Sequence, residues 1–275
     1  MQNAELKELR SFRRGRINSK SEVRSVLRMR TNYERLLFSN LRMLFKNHID
    51  SVAILIEQQG EYDVRLQGRE LYNDISPLMI SYLRRVFVNT YKFYDEMYEG
   101  GRKGAEAEVI VFGRVLDIER LVNEYFAGRE LTLSNIPVNI ARRIDKLIRE
   151  GRADNLTLPQ IARNIRTKIL PLSRSRAAMI ARTETHNAAS FASHSYHKQV
   201  QQDLGVNMYK QWVAVNDSRT RSAHSAANGQ RVHMDEKFNV GGTEMSYTGD
   251  PAGGAKNVIN CRCVLIYADE KDIVV

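Results

Sequence analysis

Cysteine is almost missing from this chain of 275 residues, which has only Cys261 and Cys263, one residue apart. That pair excludes both a disulfide framework and a C-x-x-C redox motif. Long apolar runs are missing too. The longest, Val52–Ile56, falls far short of the ~18 residues that a membrane span needs. The opening sequence MQNAELKELRSFRRGR is charged but lacks the apolar stretch of a secretory signal. No HExxH, G-x-S-x-G or P-loop is present, so the best-defined hydrolase and nucleotide signatures are excluded. There is no internal repeat and no low-complexity segment. These absences predict a cytosolic protein made in a reducing compartment.

Acidic residues are outnumbered, 32 against 42 Lys and Arg, and the net charge is +10. A balance of this kind favours polyanionic partners. The excess is concentrated at the start. Residues 1–30 carry Lys7, Arg10, Arg13, Arg14, Arg16, Lys20, Arg24, Arg28 and Arg30 against Glu5, Glu8 and Glu22, whereas 211–275 is close to neutral. Arg10, Arg13, Arg14 and Arg16 are the expected DNA contacts, made to phosphates without reading sequence. Docking of the same arm on an acidic protein patch is the competing expectation.

With 43% hydrophobic residues the chain can build packed cores. From Thr31 onward Leu37, Leu41, Leu44, Phe45, Val52, Leu55 and Ile56 recur at helical spacing. A second series runs from Met79 to Met97 and is closed by Gly100-Gly101, and weaker helical patterns follow at about 105–127 and 136–150. Thr157-Leu158-Pro159-Gln160 reads as a capping box, with a helix stopped at Pro171 and another over about 173–204, closed by Gly205. Met208–Val215 alternates around Trp212 and predicts a strand, Thr220–Ala227 a short helix, the glycine-rich stretch 239–256 a long loop, and Asn260–Tyr267 a last strand. The expected fold is α+β: a basic arm over 1–30, a helical domain over 31–153, and a small α+β domain over 154–275.

Five of the six histidines fall between 186 and 233, shortly before the two cysteines. On a strand Cys261 and Cys263 would share a face. With His224, and His233 as a fourth, they predict a structural zinc; two small buried core residues are the plain alternative. Glu184 lies on the apolar side of its helix and needs a buried partner, expected to be Arg219 or Arg221. His186, His194, His197, His224, Asp217 and Glu184 have the residue types of a metal-dependent hydrolase, which is held as an alternative function. The histidines at 194 and 197 read as helix-face residues.

Taken in order, Ile161-Ala162-Arg163, then Arg182-Thr183-Glu184, Trp212, Asp217-Ser218-Arg219-Thr220-Arg221 and His224 form a series. It continues through Asn228-Gly229, Gly249-Asp250-Pro251 and Asn260-Cys261-Arg262-Cys263. Over about residues 155–267 this series resembles the Mu F-like domain of bacteriophage minor head proteins. The resemblance implies a non-enzymatic protein of head morphogenesis in a tailed phage. It would sit in the head interior of the virion, and in the host cytoplasm during assembly. Its expected partners are the portal protein, the scaffold or major capsid protein, and double-stranded DNA. Some relatives carry a toxin domain after this region, and with eight residues past Tyr267 none is expected here. A dedicated non-specific DNA-binding protein is the remaining alternative.

Overall fold

The computed structural model describes residues 19–99, 110–111, 114–115, 117–127 and 130–269. Arg10, Arg13, Arg14 and Arg16, and the Gly100-Gly101 stop, lie outside the described residues. Helices dominate. In chain order they are α1 (Ser19–Gln59), α2 (Val64–Glu99), α3 (Ile118–Ala127), α4 (Glu130–Ala153) and α5 (Leu158–Leu204), followed by the short α6 (Ser222–Ala226) and α7 (Gly254–Val258). The α+β class is as expected.

The long helices override two local signals. The apolar periodicity starts at Thr31, yet α1 already begins at Ser19, because Val26 and Arg30 extend the buried face by two further turns. Residues 19–30, expected to belong to the basic arm, are therefore helical, with Glu22, Val26 and Arg30 buried. The second override is at Pro171. Proline removes one N–H donor and crowds the carbonyl four residues back, but α5 runs through it for 47 residues. The hydroxyl of Ser173 donates to the Leu170 carbonyl at 2.7 Å, and Ile165, Ile169 and Ala177 on either side are buried. Packing on both flanks outweighs the single lost bond. The helix start is as expected: the Thr157 N–H donates to Gln160 Oε1 at 2.8 Å, although the threonine hydroxyl donates to the same oxygen and does not accept from the backbone.

The chain divides into two compact units. One takes in Tyr33–Tyr82 and Phe126–Arg182. It is helical, with Leu37, Leu41, Phe45, Ile49, Ile75, Ile144, Ile161 and Ile165 in its core. The expected break at 153/154 falls inside it. The other takes in the described parts of Met1–Asn32, Leu83–Tyr125 and Thr183–Val275. It holds the strands: β1 (Ile110–Val111) and β2 (Arg114–Val115) form a minimal hairpin, β3 (Met208–Val213) is the central strand of a three-stranded antiparallel sheet, and β4 (Arg231–His233) and β7 (Val264–Asp269) flank it. In the register of that sheet Trp212 faces Leu265 and Tyr209 faces His233. Between them β5 (Phe238–Val240) and β6 (Thr243–Met245) make a hairpin, so the expected loop at 239–256 is partly ordered as strand. Gly241 and Gly242, both at positive φ, supply its turn.

Of the two histidines read as helix-face residues, His197 is a core residue and His194 is half-buried. His197 is fully buried, stacks on Tyr267 with ring centroids 3.7 Å apart and shares its Nδ1 with the Ser193 carbonyl at 2.7 Å. His194 stacks on Tyr247. Burial pushes both down to about 3, so both are neutral at physiological pH.

The loop that follows β6 is pinned by Gly249. Its φ is +85°, and a Cβ there would lie 2.3 Å from Oδ1 of Asn187, which is wholly buried on α5. Gly249→Ala should therefore combine left-handed backbone strain with overpacking and destabilise by roughly 2–5 kcal/mol. Gly205→Ala has the same backbone demand at φ +60° but meets nothing within 4 Å, and should cost only ~1–2 kcal/mol. Denaturant unfolding of the two variants checks this; equal losses would mean that the Gly249–Asn187 approach is not tight.

Candidate functional site

The motif residues beyond position 182 gather in the strand-bearing unit. β3 delivers Trp212, which is completely buried and meets the ring of His224 edge-on at 5.7 Å. His224 is held on the one-turn α6. The backbone then returns through Asn260, whose φ of +57° turns the chain. Cys261 and Cys263 consequently lie just before β7, and not within the final strand as expected. They still point the same way, into the protein, while Arg262 between them points out. His224 Nδ1 is 3.3 Å from Cys263 Sγ and 3.6 Å from Cys261 Sγ. All three residues are buried, and their donor atoms lie within 4.8 Å of one another.

Of the expected zinc ligands, the structure brings these three together and leaves out His233. That side chain is exposed on β4, its ring against Tyr209 with centroids 4.0 Å apart. The reason is register: opposite Tyr209, His233 sits three residues along β3 from Trp212. His186 of α5 approaches Cys261 instead, a residue that the zinc reading had not chosen. Beside it stands Arg30 of α1, also unforeseen. Arg30 is 7% exposed. Its guanidinium contacts His186 Nδ1 at 2.9 Å and donates to Ser190 Oγ at 2.9 Å and to the Cys263 carbonyl at 3.1 Å. A faint sequence signal exists: Val26, Arg30 and Leu37 share one helical face, and His186 and Ser190 are four apart.

The electrostatics follow from these neighbours. A hydrogen bond from the Cys263 thiol, together with His186 and His224, holds Cys261 well below the ordinary thiol range despite its burial. Cys263 is pushed up by donating to Cys261 and by desolvation. The two sulfurs are thus driven in opposite directions, and both lie close enough to Arg30 to act on its charge. Burial lowers Arg30 while the two sulfurs raise it.

The expected pairing of Glu184 with Arg219 or Arg221 is not present. Glu184 is buried, as expected, but accepts from the Tyr125 hydroxyl at 3.1 Å. Arg219 is largely exposed and lies 3.7 Å from Asp217, and Arg221 donates to the Ile259 carbonyl. The geometric reason is that both arginines sit on the turn ahead of α6, next to the chain reversal at 259–260. The strong clasp is Asp217–Arg262, a two-pronged fork with both N···O distances at 2.6 Å. Asp217 also caps its own turn by accepting from Arg219 N and from the Thr220 hydroxyl. Thr183 ties α5 to the reversal by accepting from Asn260 N at 3.1 Å. Arg182, the first residue of the series, pairs with Glu34 at 3.1 Å in the helical unit.

Residues 142–266 match the family described as Phage Mu protein F like protein. The arginine ADP-ribosyltransferase EFV of Enterococcus faecalis is 32% identical over 152 residues, covering 54% of this chain and 30% of that protein. Minor head protein GP7 of Bacillus phage SPP1 is 33% identical over 141 residues, covering 50% of this chain and 43% of that protein. The chain thus spans less than half the length of either curated relative. No solved structure matches it.

The Asp217–Arg262 fork holds the Asp217 carboxyl well below the usual carboxylate range. A depressed folded-state value stabilises the fold above the unfolded value of about 3.9 and loses that contribution as pH falls below it. Asp217→Asn should remove this part of the acid sensitivity. Its stability should fall less steeply than wild type between about pH 5 and pH 2, read from melting temperature against pH. Parallel curves would show that the fork does not stabilise the fold.

Proposed function

We propose that this chain, which through residues 142–266 belongs to the Phage Mu F-like family, is a minor head protein acting in head morphogenesis of a tailed bacteriophage. The observation that carries the reading is that the family match covers residues 142–266, the stretch in which the buried motif residues gather, and that a phage minor head protein, GP7, is 33% identical over 141 residues. The portal protein, and the scaffold or major capsid protein, are the partners this reading assigns. The place of action is the head interior. The basic residues Arg10, Arg13, Arg14 and Arg16 are assigned to sequence-blind contact with packaged DNA, where phosphate is so abundant that weak binding suffices. A zinc ion on His224, Cys261 and Cys263 belongs to the same reading.

The transferase activity in the other relative's name is not assigned to this chain, which spans 30% of that protein. Non-catalytic assembly is supported by the burial of the motif: Glu184, His186, His224 and both cysteines are all below 5% exposed, and the cleft beside His224 and the cysteines, about 20 Å³ in volume, has no room for an organic substrate.

The reading is tested in the phage that encodes the chain. Disrupting the gene should leave heads that lack the protein and fall in infectivity, and the purified protein should co-sediment with procapsids. Normal head yield, infectivity and composition would overturn it. Deleting residues 1–18, which removes Arg10, Arg13, Arg14 and Arg16 but leaves α1 and its buried Arg30 intact, separates the two roles of the arm. DNA affinity should drop several-fold at low salt, and the full chain should show a log–log salt slope near −3.6 for about four phosphate contacts. Unchanged DNA affinity with lost procapsid association would make the arm a docking element.

A further inference from the structure

We infer that the metal centre at His224, Cys261 and Cys263 has three protein ligands and an exchangeable fourth position reached from the surface, and that it takes a water or a small anion there. The inference rests on the zinc reading above and goes beyond it by deciding what closes the coordination sphere.

The three donors have the spacing a metal requires. Tetrahedral zinc with Zn–S of about 2.3 Å and Zn–N of about 2.0–2.1 Å sets its nitrogen and sulfur ligands roughly 3.5 Å apart. The observed Nδ1···Sγ distances are 3.3 and 3.6 Å. His224 comes from α6 and the cysteines from the segment before β7, so the three donors approach from two directions.

The obvious candidate for a fourth ligand is His186, and its own hydrogen bond argues against it. A guanidinium has donors only. With Arg30 Nη1 at 2.9 Å, His186 Nδ1 must accept, and the neutral ring then carries its hydrogen on Nε2. A protonated nitrogen cannot ligate a metal. The ring stands beside Cys261 and acts on its charge, which is the outer-shell role that orients a ligand and tunes the ion. Arg30 is itself fixed by Ser190 and the Cys263 carbonyl, so the ring cannot change tautomer without breaking a buried arrangement.

The open side of the cluster is a cleft lined by Thr220, Asn260, Arg219, Arg221 and Arg262 beside the three ligands, with a volume of about 20 Å³. That is room for one water. Two thiolates neutralise a divalent ion, and Arg30 with the arginines at the mouth leaves the surroundings positive, so a small anion is favoured over a neutral guest. Three protein ligands with an open position is the arrangement of zinc sites that exchange a ligand, in contrast to the closed four-ligand structural sites.

The full chain, purified under reducing conditions, supplies the test. Elemental analysis should give about one equivalent of zinc, and cobalt exchange should give the thiolate charge-transfer and visible bands of a tetrahedral site. Adding azide should shift the visible bands. His186→Gln, which keeps an N–H donor, should retain the metal. Unmoved bands with azide, together with loss of metal in a folded His186→Gln, would make His186 the fourth ligand; that overturns the open position and leaves the zinc reading standing. Absence of both zinc and cobalt binding would overturn the zinc reading itself. Cys261→Ser separates a folding failure from a lost ligand, because it should lower the charge-transfer intensity by about half in any protein that remains folded.

Discussion

The arrangement of the strand-bearing unit depends on a buried positive charge. Arg30 is nearly sealed from solvent, and an isolated guanidinium there would cost several kcal/mol. It is tolerable because α5 presents His186 and Ser190 to it and the turn before β7 presents a carbonyl. Each of these partners is placed by a different element. A single charge on α1 therefore fixes the rotation of α5 and the path of residues 260–263 together. Shifting any of them by one residue strands the guanidinium, and that gives the packing a specificity that apolar contact alone does not.

The second constraint is the reversal of the chain around Asn260. Its backbone N–H is taken by Thr183, the Ile259 carbonyl by Arg221, and Arg262 two residues on is gripped by Asp217. The residues of the resembling series thus satisfy one another's backbone and charge at one short turn. Trp212 and Phe238, packed edge-on at 5.4 Å, fill the space behind His224. The motif reads as a folding device as much as a chemical one: the same residues that converge on the two sulfurs also hold the two ends of the sheet in register.

Much of this was legible in the sequence, and the misses share a cause. Helical periodicity located α1 and α2, alternation located β3 around Trp212, and the spacing of His224, Cys261 and Cys263 pointed to a cluster. Periodicity reports burial, however, and says nothing about which polar residue meets which. Arg30 was read as part of the basic arm because arginine is seldom buried, although it continues the Val26 face. His233 was chosen over His186 because it is nearer to the cysteines in the chain, while the register places it beside Tyr209. Glu184 was correctly read as buried, but its hydroxyl partner, Tyr125, lies 59 positions away and no local rule links the two. Pro171 failed as a stop signal because propensity is a weak prior once both flanks of a helix are packed.

The stretch of α5 from Thr183 to His197, buried around its circumference over residues 183–190, is unusual in what it contains. Thr183, Glu184, Thr185, His186, Asn187, Ser190, Ser193 and His197 are all buried, where a packing helix would present leucine or isoleucine. A helix segment of this composition gains little from the hydrophobic effect, and each polar group on it needs a partner if it is not to destabilise the fold. Stability alone would favour replacing them with apolar residues of similar size. Departures of this kind from local rules concentrate at functional sites, where other parts of the structure compensate. In the first half of the same helix the apolar stripe of Ile161, Ile165 and Ile169 is regular. The change of character along one continuous helix, from an apolar stripe before Pro171 to a polar buried face after Thr183, therefore separates the part that packs from the part that holds the site.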